Sequence, residues 1–238
     1  MKGKNAFSQS ILITGANRGM GLGYVRHYLK EGKSIIAAVR TIEKQTELDR
    51  LREQHADRLL ILRLDVSNEA SLVGFTKELK MVQPSFRIVI NNAGISMEEK
   101  FEAWTMATFE KHFRINTIGP ALTSQAIAPF MAKGGKLIQI SSGMGSLSWN
   151  INPLNHFDAY AASKCALHSI TIRLAEKLKA KEIGVFAINP GWVRTEMGGD
   201  DATTSIEEAV TDITSTIAQL KFRQTGSFLS EKGEIIPW

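Results

Sequence analysis

Short apolar runs without polar interruption recur along this chain, and each is followed by a stretch of helical periodicity. Ile35-Ile36-Ala37-Ala38-Val39 is the plainest of them. A strand with one wet face alternates apolar and polar residues, whereas a strand covered on both faces has no polar face to show. Runs of this kind fall at Ile11–Thr14, Ser34–Val39, Leu59–Leu64, Arg87–Asn91, Lys136–Ser141 and Gly184–Asn189, with a weaker one at Ser227–Leu229. Helical patterns fill the intervals at Gly21–Lys30, Glu43–Gln54, Glu69–Met81, Thr108–Lys133, Tyr160–Ala180 and Ile206–Leu220. Alternation repeated this often argues for a doubly wound, Rossmann-type α/β fold, with a mostly parallel sheet of about seven strands and helices on both faces. No Pro/Gly/Ser-rich linker or internal repeat interrupts the pattern, so residues 1–238 are read as a single domain.

Composition narrows the function classes. The 29 basic residues are scattered among 24 acidic ones, with no basic block or aromatic-interleaved patch of the sort that binds nucleic acid. No stretch approaches the roughly 20 apolar residues of a membrane span, and the opening MKGKNAFSQS lacks a signal-peptide core. The lone cysteine, Cys165, has no partner for an internal disulfide, which fits a reducing compartment. The expectation is a cytoplasmic protein with no nucleic-acid or membrane partner.

In doubly wound sheets the ligand lies beyond the carboxyl ends of the strands, where the strand order reverses. After the first strand comes Thr14-Gly15-Ala16-Asn17-Arg18-Gly19-Met20-Gly21. Its glycines allow a tight turn and a close approach of pyrophosphate to a helix N-terminus. The spacing is Gly-x-x-x-Gly-x-Gly rather than the common Gly-x-Gly-x-x-Gly. An acidic residue ending the second strand would bind the ribose hydroxyls of NAD, whereas this strand ends on Arg40. With Arg18 inside the glycine turn, two guanidinium groups favour the 2′-phosphate of NADP(H) over NAD(H). Asp65-Val66 follows the third strand, where Asp65 or Ser67 could equally cap the next helix.

Tyr160 and Lys164 lie one turn apart on a helical pattern and share a face. A free phenol, with a pKa near ~10, is a poor acid–base catalyst at neutral pH, and an ammonium beside it would lower that value. The same spacing is also common on ordinary amphipathic helices.

Together Thr14-Gly15-x-x-x-Gly19-x-Gly21, Asn91-Asn92-Ala93-Gly94, Ser141-Ser142, Tyr160-x-x-x-Lys164 and Asn189-Pro190-Gly191 resemble, in order, the motifs of the classical short-chain dehydrogenases/reductases. The match runs from about Ile11 onward. Pro190 to Gly199 and the Pro237-Trp238 pair resemble the Sniffer/C-factor-like carbonyl reductase subgroup. The resemblance implies an NADPH-dependent reductase acting on a small ketone, aldehyde or quinone, with Tyr160 as proton donor. It implies Ser142, rather than the adjacent Ser141, as the hydroxyl that orients the carbonyl. Lys164 would lower the Tyr160 pKa and bind the nicotinamide ribose, and Asn116 would bend its helix and hold a water. For the cofactor it implies contacts at Gly15, Asn17, Arg18, Gly19, Met20, Gly21, Arg40, Asp65, Val66, Asn91, Ala93, Gly94, Tyr160, Lys164, Pro190, Gly191, Val193 and Thr195. Asp65 would meet the adenine, Asn91 the adenosine side, and Thr195 the carboxamide. A homodimer or homotetramer is implied as well. The alternatives are an alcohol dehydrogenase or pathway-specific reductase on the same residues, or a dinucleotide-binding regulator with little turnover. The segment 143–159, unusually long for the family and rich in apolar side chains, is either a substrate lid or static packing.

Overall fold

The computed structural model of the chain describes residues 6–42 and 46–238. Seven strands form one parallel sheet: β1 (Ser8–Thr14), β2 (Ile35–Val39), β3 (Leu59–Arg63), β4 (Ser85–Asn91), β5 (Met131–Ile140), β6 (Gly184–Ile188) and β7 (Phe228–Leu229). Their order is β3-β2-β1-β4-β5-β6-β7, so the direction of winding reverses between β1 and β4. The helices are α1 (Gly19–Lys30), α2 (Glu47–Gln54), α3 (Glu69–Val82), α4 (Met106–Phe113), α5 (Gly119–Ile127), α6 (Asp158–Leu178) and α7 (Ile206–Gln219).

Two apolar layers hold the sheet. Ile11, Ile13, Ile35, Ala37, Ile138 and Phe186 pack with Leu22, Val25 and Leu29 of α1 and Val210, Ile213 and Ile217 of α7. Leu12, Ile36, Val89, Leu137 and Val185 face the other way, against Phe75 and Leu79 of α3, Ile127 of α5 and Leu178 of α6. Adjacent strand residues therefore serve opposite cores, which is why β2 carries no polar alternation. Each aliphatic side chain so buried stabilises the fold by roughly 1.5–3 kcal/mol. At one edge β7 is only two residues long, and the chain folds back so that Ile235 bridges Leu229 antiparallel, leaving little open strand.

Helical periodicity over Thr108–Lys133 predicts one long helix, and the structure corrects this. The path runs through α4, a wide π-helical turn at Arg114–Ile118, α5, a 3₁₀ turn at Ala128–Phe130 and then directly into β5 at Met131. Pro129 explains the stop, because it lacks an N–H and restricts the residue before it. The first half of β5 then shifts register against β4, from Phe86↔Met131 to Ile88↔Lys136. Elsewhere ends move by a few residues: β1 starts at Ser8, α1 at Gly19 and α6 at Asp158. The expected start of the second helix, Glu43–Gln45, lies outside the described residues, and Thr46 caps α2.

Candidate active site

The reversal of winding brings the turn after β1 against the turn after β4. The Thr14 hydroxyl accepts the main-chain N–H groups of Asn92 and Ala93, both at 3.0 Å. The Asn92 amide donates back to the carbonyls of Thr14 (3.0 Å) and Gly15 (3.3 Å). Gly15 adopts φ +64°, and a β-carbon there would lie 3.0 Å from Ala93 Cα. At Gly21 a β-carbon would stand 2.0 Å from the Gly15 carbonyl oxygen, so only glycine lets the turn close on α1. The α1 N-terminus carries no side-chain cap and no acidic residue in its first turn, which leaves its N–H groups free for an anion.

Four side chains converge beyond the ends of β4 and β5. Asn116, fully buried in the π turn, accepts from Ile95 N (2.9 Å) and donates to the Ile95 carbonyl (2.9 Å) and the Ser163 hydroxyl (3.0 Å). It thereby fastens the segment that follows β4 to α6. Ser163 donates in turn to the Tyr160 carbonyl at 2.7 Å, and Thr117 to the Ser163 carbonyl at 2.8 Å. The Ser142 hydroxyl stands near enough to the Tyr160 phenol to favour its ionised form, and accepts from Met144 N at 3.2 Å. Ser141, by contrast, is buried with its hydroxyl 2.7 Å from His168 Nε2, so of the two serines it is Ser142 that meets the phenol. Lys164 is 5% exposed; its Nζ donates to the Ile140 carbonyl at 2.8 Å and sits 5.6 Å from the Tyr160 ring centre.

Burial dominates the electrostatics. It pushes the Tyr160 phenol above its ordinary value of 10, and the Ser142 hydroxyl opposes that rise. Desolvation leads at the phenol, while Lys164 Nζ is engaged by the Ile140 carbonyl. Lys164 itself is lowered to about 8 by burial. His168 is lowered to about 4 by burial and by the nearby Lys164, with a bond to the Gly145 main chain opposing. A histidine that is neutral when folded but titrates at 6.5 when unfolded binds fewer protons in the native state between those values. Stability from this group is thus present above about 6.5 and lost as the pH falls toward 4, by about 3 kcal/mol. Melting temperature should drop across that window, and His168→Gln should flatten the drop.

The remaining sequence-assigned positions are divided. Gly19 faces Thr195, whose methyl would lie 3.8 Å from a β-carbon placed there. Arg18 forms an ion pair with Glu196, beyond β6 and next to Thr195, and both side chains are exposed. Arg40 is exposed just past β2, and Asn17 and Met20 lie on the rim of the glycine turn. Gly94 lies beside Asn116 and Lys164 Nζ, while Gly191, at φ +76°, and Pro190 open the turn after β6, where Val193 pairs with Thr204. Thr195 closes that turn by accepting from Gly198 N at 3.1 Å. Val66 packs on Gly119 at the start of α5. Asp65 accepts from the main chain and hydroxyl of Ser67 (2.9 and 2.6 Å), while Asn68, not Asp65 or Ser67, caps α3. The Asn91 side chain does not face the cleft. It is 3% exposed and donates to Ser124 (3.0 Å) and Gln139 (3.1 Å) inside the sheet layer, so only its main chain reaches the strand end.

Comparison with known proteins agrees with this geometry. Residues 9–205 match the short chain dehydrogenase family. The chain belongs to that family. It is 30% identical over 253 residues to the short chain dehydrogenase gsfK of Penicillium aethiopicum, covering 96% of this chain and 99% of that one. A crystal structure of NADPH-bound carbonyl reductase from chicken fatty liver superposes with TM-score 0.91 at 29% identity, over 97% of this chain and 99% of that one. The carbonyl reductase Sniffer of D. melanogaster superposes with TM-score 0.90 at 29% identity, over 97% and 100%.

Several residues of this short-chain dehydrogenase shape the site without having been singled out from sequence. Asn92 and Thr14 lock the two turns. Asn189 accepts from Gly143 N at 3.0 Å, fixing the backbone beside Ser142. His112, fully buried, accepts from Met97 N at 3.0 Å and meets the Tyr160 ring edge-on at 6.5 Å. Thr14, Asn92 and Asn189 belong to the family motifs themselves. His112 gave no local signal.

Proposed function

We propose that the protein is an NADP(H)-dependent carbonyl reductase, its 238 residues acting as one dinucleotide-binding unit. The observation that carries this reading is the Ser142–Tyr160 contact beside buried Lys164, at the strand ends that hold the glycine cradle. A bound nicotinamide dinucleotide supplies the hydride. The Gly15–Gly21 turn and the uncapped α1 N-terminus suit its pyrophosphate, and Arg18 and Arg40 suit a 2′-phosphate. The Pro190–Thr195 turn and Lys164 border the nicotinamide end.

Ser142 donates to the substrate carbonyl and holds its carbon toward the hydride. As the new C–H bond forms, the C=O π pair moves to oxygen, which takes the phenolic proton of Tyr160. Carbonyl becomes alcohol, and the proton lost by Tyr160 is replaced from solvent past Lys164 and Asn116. Burial keeps the phenol protonated across the neutral range, so Tyr160 holds the proton that the nascent alkoxide would receive. Exposed Met97, Trp149, Ile151 and Trp192 around the cleft suit an apolar or flat substituent on the substrate. Homo-oligomer formation through α6 and the stretch from the π turn into α5, where Ile172 and Ile118 are exposed, belongs to the same proposal.

Oxidation of NADPH and, separately, NADH by a panel of ketones, aldehydes, diketones and quinones tests the reading. Tight cofactor binding with no turnover of any carbonyl would favour a regulatory protein. The arginines add a sharper expectation. Arg40→Ala should raise the dissociation constant for NADPH about 10–100-fold, as loss of a charge-assisted contact does, and leave that for NADH within about 2-fold. Titration of cofactor fluorescence reads both, and equal losses for the two cofactors would remove Arg40 from the phosphate site.

A further inference from the structure

Residues 237–238 lie against the loop that carries Ser142, although some ninety residues separate them in sequence. The main-chain oxygen of Trp238 accepts from both the N–H (3.1 Å) and the hydroxyl (2.9 Å) of Ser148. That of Pro237 accepts from the Ser146 hydroxyl at 2.6 Å, which itself accepts from Trp149 N at 3.1 Å. The Trp238 ring stacks on Phe228 of β7, with centres 5.6 Å apart and planes 19° apart. Both rings then enclose His168, at 5.0 Å from Trp238 and 4.2 Å from Phe228. His168 is the residue that holds Ser141, and it sits one helical turn beyond Lys164. The loop reaches the same place: a β-carbon on Gly145 would lie 2.9 Å from both Lys164 Cβ and His168 Cε1.

Burial alone does not hold this loop. Between Gly145 and Asp158 no helix or strand is present, and Leu147 and Leu154 point outward at 78% and 93% exposure. Loops of this length without internal structure are ordinarily either functional or mobile. Here the three bonds to residues 237–238 tie it at Ser146 and Ser148, and the aromatic stack presses those residues onto α6. Ser142, Tyr160 and Lys164 lie on the two sides of that clamp. We propose that Trp238 is a positioning residue for catalysis, a brace that fixes Ser142 against Tyr160 and Lys164 by clamping residues 143–149 onto α6. The kinetic part of this inference rests on the carbonyl-reductase reading, whereas the structural part does not.

Trp238→Ala keeps the main-chain oxygen but removes the stack. It should lower kcat roughly 10–100-fold, the size of loss that small misplacements of catalytic groups produce, while KM for NADPH stays within about 2-fold. Trp238→Phe, which preserves a ring on Phe228 and His168, should restore kcat to within about 3-fold. Ser146→Ala, which leaves the aromatic stack intact, should lower kcat in the same direction. Amide hydrogen exchange, read on the same proteins, should speed up about 10-fold or more over residues 143–149 in Trp238→Ala while the strands keep their protection. Unchanged kcat and unchanged exchange in Trp238→Ala and Ser146→Ala would overturn the brace. So would a loss of kcat that came with faster exchange throughout the sheet and was not rescued by phenylalanine. A wild-type protein that turned over no carbonyl would instead count against the reductase reading, and the exchange measurement would still decide the brace.

Discussion

Tyr160→Phe is expected to bind NADPH as the wild type does and to lose carbonyl reduction by about 10²–10⁴-fold in kcat, the usual contribution of a positioned proton donor. The substitution deletes one hydroxyl and keeps the ring, so the edge contact with His112 survives and no cavity opens. Lys164 stays on the Ile140 carbonyl, and Asn116 stays on Ile95 and Ser163, because neither depends on the phenolic oxygen. Only the Ser142 hydroxyl loses the phenol as a neighbour. What disappears is the proton that the nascent alkoxide must receive. The pH dependence of the wild type carries the same logic. With the phenol held above 10, the acid form is present throughout the neutral range, so reduction should be level there. Alcohol oxidation needs the phenolate and should climb as the pH rises toward and past 10. Steady-state rates in both directions, beside cofactor titrations of the two proteins, give the answer. Full turnover by Tyr160→Phe would remove Tyr160 as the acid and with it the proposed chemistry.

The strands were legible because a strand buried on both faces has no alternation, and the two cores around β2 account for that pattern residue by residue. The glycine turn was legible because strand-to-helix closure at Gly21 permits no side chain at all. The helix read over Thr108–Lys133 was not. Its periodicity continues through the π turn, and what opens that turn is a tertiary demand, the attachment of Asn116 to Ile95 and Ser163. In the catalytic group, spacing placed Tyr160 and Lys164 on one helical face but said nothing of where Nζ ends. It ends on the Ile140 carbonyl at the close of β5. Asn91 shows the opposite limit. Its place at a strand end was right, yet the pleat turns its side chain inward to Ser124 and Gln139. The links from Asn189 to Gly143, His168 to Ser141 and Trp238 to Ser148 join residues far apart in sequence. No local pattern encodes them.

Gly21→Ala should be the most damaging single-methyl change in the cofactor region. The added carbon would lie 2.0 Å from the Gly15 carbonyl oxygen and 2.8 Å from the Asn92 amide nitrogen. Neither neighbour can move freely. Gly15 is pressed on Ala93, and Asn92 is held by the Thr14 and Gly15 carbonyls that it bonds. The turn must therefore open, at a stability cost of about 1–3 kcal/mol for a forced fit. The larger effect falls on binding. The turn's shape and the α1 N-terminus together form the anion site, so opening one displaces the other, and NADPH affinity should fall at least about 100-fold. Thermal melts with and without NADPH separate the two effects. Wild type at about 100 times Kd should gain about 2.7 kcal/mol, whereas Gly21→Ala at the same concentration should gain only a few tenths. Gly74→Ala supplies the contrast, because that glycine lies inside α3 with nothing within 4 Å of an added β-carbon. It should stabilise the protein by about 0.5–1 kcal/mol and leave the NADPH-dependent shift intact. If Gly21→Ala kept the full NADPH-dependent shift, the pyrophosphate would have to bind elsewhere. The steric closure at Gly21 would then serve only the packing of β1 against α1.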